Sequence, residues 1–399
     1  MKFIIFTQKD IDLQRLYPFT LTKNVQELTL GMMSVRQRWE KLLQVPSFDE
    51  EDSANYRLKI RKTLNISKLS KNDGAYYIKA NLLPSAALLS KIKHLKPGEA
   101  IVSNKNEVLA ALITQDGIDK AGNLKKPATR IVYHDLMRIE YPWDLFNFNR
   151  QVLVYDFSLL TKKRKSVSIE SSNYISNKKQ IFVEEGAVVH HTFINADDGP
   201  VYISKNALVM EGTCIRGPVF IGEGAVVKMG TRIYGATSIG ANCVVGGEIK
   251  NSILSANSNK GHDGYLGDAV IGEWCNLGAG TSNSNLKNTA DNIVVHLQGQ
   301  KYEAGLKCGV LMGDFVKTAI NTSINTGTVI GLGANVFGTG LTPKEIPCFA
   351  WGFNGNELFR FDKLIQSLAS WKKLKGASLS DEETKMITTI YNNFKKNLK

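Results

Sequence analysis

The sequence predicts a two-part chain: an α/β domain in front, then a solenoid of short strands closed by helices. The first observation is a comb of eight β-branched residues, Ile203, Val209, Ile215, Ile221, Val227, Ile233, Ile239 and Val245, at a spacing of six. A helix repeats at roughly 3.6 residues and a plain strand at about 2, so a period of six belongs to stacked turns of short strands, each rung burying one Ile or Val. In front of the comb, strand-like and helical runs alternate. Behind it, apolar residues return at helical spacing.

Residues 1–155 contain strand-like runs at Lys2–Phe6, Ala75–Ile78, Val108–Ile113 and Gln151–Tyr155, with helical stretches at Val35–Leu43 and Ser85–Ile92. Such alternation predicts an α/β domain. Over residues 156–345 the six-residue rhythm takes over, broken at Asn251–Gly264 and resumed in a second phase at Met312, Thr318, Ile324, Ile330 and Val336. Glycine follows several rungs, as in Ile221-Gly222, Ile239-Gly240, Ile271-Gly272 and Ile330-Gly331, where the chain must turn. In residues 346–399, Phe361, Leu364, Ile365 and Leu368 share one helical face, and Ile387, Ile390, Tyr391 and Phe394 share another. Ser380 with Glu383 forms a capping box opening the second helix. These helices are expected to cover an edge of the solenoid that is otherwise unpaired.

Composition narrows the function classes. With 399 residues and 43% hydrophobic content the chain can build a substantial core. The apolar run Lys2–Phe6 is too short for a signal peptide, and no later run approaches a membrane span, so a cytoplasmic protein with no membrane partner is expected. Five cysteines, Cys214, Cys243, Cys275, Cys308 and Cys348, are odd in number and never C-x-x-C, which predicts buried thiols rather than disulfides or a zinc ribbon. The net charge of +13 comes from scattered Lys and Arg without an arginine-rich helix or an aromatic-basic motif. Anionic small molecules such as phosphorylated sugars, nucleotides or coenzyme A suit this surface better than nucleic acid.

Three hexapeptides close a triangular coil of about eighteen residues, and coils stack at about 4.8 Å. Arg232 and Lys250 are eighteen apart and outside the comb, so both are predicted to point outward, one coil above the other. Stacked cations repel unless an anion lies between them, and a guanidinium fork beside an ammonium makes a phosphate clamp. The plainer alternative is two solvated surface residues.

The segment Gly261-His-Asp-Gly-Tyr-Leu-Gly-Asp268 is followed by Asn276-Leu-Gly-Ala-Gly-Thr281 and then Asn285. It resembles the acetyltransferase half of the bifunctional UDP-N-acetylglucosamine pyrophosphorylase/glucosamine-1-phosphate N-acetyltransferase family, with its G-H-x-x-Y-L-G-D, its N-x-G-A-G-T and its later asparagine at the same intervals. The resemblance implies a left-handed parallel β-helix of hexapeptide repeats, a homotrimer with three clefts, acetyl-CoA as donor and glucosamine 1-phosphate as acceptor. It also implies His262 as general base, Arg232 and Lys250 on the sugar phosphate, and Tyr265, Asn276 and Asn285 around the sugar. Imidazole titrates where it can accept the amine proton. A backbone N–H near Gly278 to Gly280 is the expected oxyanion donor. The chain departs from the family beyond Asn285: Asp291 replaces a lysine, with Lys287 close by, and Gly313-Asp314 replaces glycine-serine. Gly338 and Lys344 are the remaining candidates on the acyl-donor side.

In front, Arg15-Leu-Tyr-Pro-Phe-Thr-Leu-Thr-Lys23 resembles the R-L-x-P-L-T segment of sugar-phosphate nucleotidyltransferases. Their glycine-rich phosphate loop is replaced by Gln8–Gln14, which has no glycine, as in a divergent, Bacteroidetes-type branch of the bifunctional family. A nucleotidyltransferase-like domain is implied, with Arg15 and Lys23 toward the nucleotide and UTP and Mg2+ required if it is active. The strand that presents a metal-binding aspartate in that family ends here in Asn81. Two readings stand for the front domain: a uridylyl- or thymidylyltransferase with an altered loop, or a domain kept for structure or regulation. A zinc-dependent hydratase needs three converging histidines, whereas His190 and His191 are adjacent and the next is His262, so no metal ligands are assigned. A non-catalytic scaffold is the alternative of a different class.

Overall fold

The computed structural model describes residues 2–50, 63–64, 74–119, 124–355 and 357–397. Contacts divide the chain into two units, Met1–Asp12 with Thr22–Leu28 and Met33–Glu140, and Leu13–Leu21 with Thr29–Met32 and Tyr141–Lys399.

The first unit holds a seven-stranded mixed sheet ordered 63–64, 47–50, 2–7, 74–79, 108–113, 99–102, 129–132. Lys2–Thr7 is buried over Phe3 to Thr7 and pairs in parallel with Ser47–Glu50 and Gly74–Lys79. Among the described residues only Val108–Ile113 runs antiparallel to its neighbours. Helix α1 (Val35–Leu43) begins at a capping box between Ser34 and Gln37, and α2 (Ala86–Lys93) at the Ser85 hydroxyl, which accepts from Leu88 N.

The second unit is the left-handed parallel β-helix. Its three faces are a six-stranded sheet beginning at Tyr174–Ser176, a nine-stranded sheet beginning at Ile181–Val183 and an eight-stranded sheet beginning at Val188–Val189, with neighbouring strands parallel. All eight comb residues lie inside with at most 2% exposure, and the second phase from Met312 to Val336 is buried as well. Asn206 and Asn242 take left-handed backbone angles at corners, which asparagine tolerates. Cys214 is exposed and the other four cysteines are buried.

The structure corrects two expectations. Gln151–Tyr155 is not a strand but part of helix α3 (Asp144–Thr161). The short β-branched run is misleading, because the buried set Leu145, Phe146, Asn149, Val152, Leu153, Asp156 and Phe157 repeats at three and four. Asn149 and Asp156 are buried yet satisfied, accepting from Gly31 N at 2.6 Å and Met32 N at 2.9 Å. The stretch Asn251–Gly264 is not a break either. Ile253–Leu254 and Asn259–Lys260 continue the nine- and eight-stranded faces, with Leu254 beside Ile239 and Lys260 beside Val245.

A hairpin absent from the sequence expectations, Val294–Leu297 against Gln300–Glu303, is inserted before the coil that resumes at Leu311. Two helices close the chain, α4 (Phe361–Leu374) and α5 (Asp381–Asn397), and Tyr391 and Phe394 of α5 lie 5.0 and 6.2 Å from the Phe349 ring. Ser380 and Glu383 form the expected capping box. Lys317 sits 4.6 Å from the Trp371 ring and Lys372 4.9 Å from Trp274, tying α4 to two successive coils. Among the described residues no helix is long and apolar enough to cross a membrane.

Candidate active site

Each coil passes from the eight-stranded to the six-stranded face through a corner, and His262 sits on one of these. Gly246-Gly247 lies on one side of its corner and Gly278–Thr281 on the other. Gly246 N donates to Lys260 O at 2.7 Å, Glu248 N to Gly264 O at 3.2 Å, and Gly280 N to Asp263 O at 3.1 Å. A Cβ at Gly247 would fall 2.8 Å from His262 O, and one at Gly264, whose φ is +125°, 2.2 Å from Thr281 O. Glycine is needed because backbone packs on backbone there. The backbone at His262 is thereby clamped while its side chain remains exposed.

On the adjoining six-stranded face, Arg232–Tyr234, Glu248–Lys250 and Tyr265–Gly267 are neighbouring strands whose middle residues, Ile233, Ile249 and Leu266, point inward. Arg232 and Lys250 therefore both face outward, but they do not stack. Arg232 is level with Glu248, and Lys250 with Tyr234. The coil between them is shortened at Gly246-Gly247, so the register advances by sixteen residues instead of eighteen. A carboxylate consequently joins the two cations. Glu248 Oε2 lies 3.8 Å from Arg232 Nε, Glu248 Oε1 accepts the Tyr234 hydroxyl at 2.6 Å, and Lys250 Nζ is 5.9 Å from the Tyr234 ring centre. The hydrogen bond to Glu248, aided by burial, pushes the Tyr234 phenol up to about 12.

Tyr265 is beside Glu248 in the next coil. Asn285 Nδ2 donates to the Tyr265 hydroxyl at 3.1 Å and also to Asp268, a carboxylate only 4% exposed that accepts from Asn251 at 2.6 Å. Burial first, and then the Asp268 charge, hold the Tyr265 phenol well above its usual range. Asn276 is on the eight-stranded face instead, paired with Asn259 and Lys317. The structure thus brings Arg232, Lys250, Tyr265 and Asn285 onto one outer surface, with His262 on the corner leading into it.

Sequence reasoning missed three contributors. Glu248 and Asp268 carry no signal beyond the motif, because what matters is their register against Arg232 and Asn285. Lys260 occupies an inward rung, 2% exposed, and donates to Gly246 O at 3.1 Å and His262 O at 2.7 Å. The comb gave no signal for it, because Lys260 lies fifteen residues after Val245 and off the six-residue spacing.

On the acyl-donor side, Lys287 Nζ donates to Asn292 O, Asp291 is exposed, and Lys344 Nζ donates to Thr326 O and its hydroxyl. Asp314 caps a corner by accepting from Glu273 N at 2.7 Å, and Gly313 lies against Pro18. A Cβ on Gly338 would meet the Phe353 ring at 2.6 Å. Of the residues expected near a nucleotide, Arg15 falls in the β-helix unit, 5.6 and 5.9 Å from the rings of Tyr141 and Tyr302. Lys23 falls in the first unit and is half-buried. Asn81 is buried and donates to Ile139 O at 3.2 Å. Among the described residues no group of three or more His, Cys, Asp or Glu converges.

Residues 3–165 match the family described as sugar nucleotidyl transferase. The chain is 32% identical over 233 residues to the bifunctional protein GlmU of Methanocaldococcus jannaschii, covering 56% of this chain and 48% of the relative. It is 33% identical over 100 residues to the bifunctional sugar-1-phosphate nucleotidylyltransferase/acetyltransferase of Sulfurisphaera tokodaii, 25% of each chain. The chain spans at most about half the length of these relatives. Among solved structures, the acetyltransferase domain of PglB from Neisseria gonorrhoeae, in complex with acetyl coenzyme A, is similar at 10% identity over 87% of this chain and 92% of that one, with a TM-score of 0.16, too low to bear on the fold. By sequence, the chain is similar to the bifunctional sugar-phosphate nucleotidyltransferase/acetyltransferase family.

Proposed function

We propose that the β-helix transfers an acetyl group from acetyl-coenzyme A to the amine of a hexosamine 1-phosphate, glucosamine 1-phosphate by resemblance. The carrying observation is the exposed His262 on a clamped glycine corner beside an outer face bearing Arg232, Lys250, Tyr265 and Asn285. Arg232 and Lys250 hold the sugar phosphate, while Tyr265 and Asn285, tied to Asp268, give the sugar ring fixed hydrogen-bonding partners. The amine nitrogen attacks the thioester carbon, His262 takes the amine proton, the C–S bond breaks, and the proton passes to the departing thiolate. The corner amides near Gly278 to Gly280 suit the developing oxyanion. Asn276, on the neighbouring face beside Asn259 and Lys317, is given no part in this pocket. No residue is assigned to coenzyme A, since Lys344 is engaged by Thr326 and Gly338 by Phe353. The exposed, stacked rings of Tyr174 and Phe193 on the same face support assembly with further copies, as in the family's trimer.

A second reading, nucleotidyl transfer from UTP to a sugar 1-phosphate, is favoured by the family match over residues 3–165. The carboxylates near the end of the first strand are already paired with cations: Asp49 with Arg36, Glu50 with Lys9, and Glu107 with Lys79 and Arg138. That donor set does not fit a magnesium site, so no step through the metal is derived.

The test follows the two half-reactions separately with glucosamine 1-phosphate, acetyl-coenzyme A, UTP and magnesium. Free thiol release that His262→Ala lowers by about a hundredfold or more supports the acetyltransferase. Unchanged turnover in that variant refutes His262 as base, and pyrophosphate release establishes the second activity.

A further inference from the structure

Seven residues fill one inward column of the eight-stranded face from Val209 to Val336: Val209, Val227, Val245, Lys260, Leu277, Thr318 and Val336. Five are aliphatic and one is a threonine, and Lys260 alone carries a charge. A cation inside a column of Val and Leu loses its hydration, so it persists only where it has fixed partners and a task. The partners are two carbonyl oxygens, Gly246 O at 3.1 Å and His262 O at 2.7 Å. These belong to successive corners of the stack, and the second is the backbone of the proposed general base.

We infer that Lys260 is a positioning residue for His262: from inside the β-helix its ammonium ties the His262 corner to the Gly246 corner and fixes the direction in which the imidazole leaves the surface. The inference rests on the acetyltransferase reading and adds a residue to its machinery. Two features support it. The exposed His262 side chain depends on its backbone for aim. The backbone bond Gly246 N to Lys260 O, at 2.7 Å, joins the same two coils, so the lysine side chain adds the link that reaches the histidine. The ammonium also places a positive charge beneath the corner. The charges acting on it are Asp263, of opposite sign, and Arg232, of like sign, while the Lys228 side chain runs past Gly261. Burial lowers the Lys260 ammonium to about 8, in keeping with a group held in the core for a purpose other than surface charge.

Lys260→Met fills the rung with a side chain of similar length and removes both hydrogen bonds of the ammonium. We expect a folded oligomer with an unchanged or raised melting temperature, since a buried charge is gone. We expect kcat for acetyl transfer to fall about ten- to a hundredfold with little change in the KM for the sugar phosphate, because a misaimed base slows chemistry while the phosphate clamp is intact. Loss of the nearby cation should also move the acid limb of the kcat/KM profile to higher pH, a change that looser packing alone would not produce. Lys260→Leu serves as a second variant should the methionine form fold poorly. Wild-type kcat and an unmoved acid limb in folded Lys260→Met, alongside an inactive His262→Ala, would overturn this inference alone. Turnover that survives His262→Ala would overturn the general-base reading and this inference together.

Discussion

The coils from Val201 to Val245 and those from Gly246 to Asn283 are built on the same scaffold, yet they differ in register and in one buried rung. In the first set the register advances by eighteen, as from Val209 to Val227 to Val245, and each rung is a buried Ile or Val. In the second it advances by fifteen to seventeen, one rung is a lysine, and one corner is the glycine pair Gly246-Gly247, packed on the backbone of the His262 corner. Regular coils are dictated by apolar burial, which any Ile or Val satisfies. The shortened ones bring particular polar groups level with one another, and they carry His262, Lys250 and Tyr265, set against Arg232 on the last regular coil.

The sharpest way to break this contrast is to substitute one position in each set. Gly264→Ala must place a methyl 2.2 Å from Thr281 O at a φ of +125°, so we expect a loss of about 3 kcal/mol or more and at least a tenfold fall in acetyl transfer. Ile239→Val in the regular set should cost about 1 kcal/mol and leave kcat and KM unchanged. Denaturant midpoints and steady-state kinetics on both variants read the difference. Equal losses of activity would erase it.

A smaller effect is expected at Glu248, the carboxylate the shortened register brings beside Arg232. Glu248→Gln removes a negative charge from a phosphate site, so the KM for the sugar phosphate should fall severalfold, on the order of 1 kcal/mol. The Tyr234 phenol, now pushed up to about 12 chiefly by Glu248, should titrate at lower pH in the variant. A raised KM would show that Glu248 orders Arg232 rather than opposing the phosphate.

The smallest effect concerns stability against pH. Burial lowers Lys260 and Lys317 to about 8 from an ordinary 10.5. Below about 8 folded and unfolded forms both hold these protons, and the burial penalty is constant. Between about 8 and 10.5 the folded form has released protons that the unfolded form keeps, so these groups add stability as pH rises. Lys260→Met should flatten its share of that slope, as measured by unfolding midpoints across the window. An identical slope would place the ammonium in water.

The same contrast explains what the sequence made legible. The comb located the rungs from Ile203 to Val245 because one physical demand, burial, repeats at a fixed interval. Through Asn251–Gly264 the rungs are Leu254 and Lys260, spaced differently from the comb, so the stretch looked like a break although the coil continues. The His262 motif announced its own residues, but the Arg232–Glu248 and Tyr234–Lys250 pairings follow from two residues missing at a glycine corner, and a fixed count of eighteen passes over that shortening. Gln151–Tyr155 misled for a local reason: five residues are too few to tell a period of two from the helical set that includes Asn149 and Asp156.

The segment around Tyr17 carries a consequence for heredity. Leu13–Leu21 and Thr29–Met32 belong to the β-helix unit, where the Tyr17 hydroxyl lies 3.4 Å from Cys348 Sγ and Pro18 packs on Gly313. The residues on either side of Leu13–Leu21 belong to the other unit. No single breakpoint in the gene yields both units whole, so recombination cannot exchange one without carrying part of the other. The two parts are bound to be inherited together.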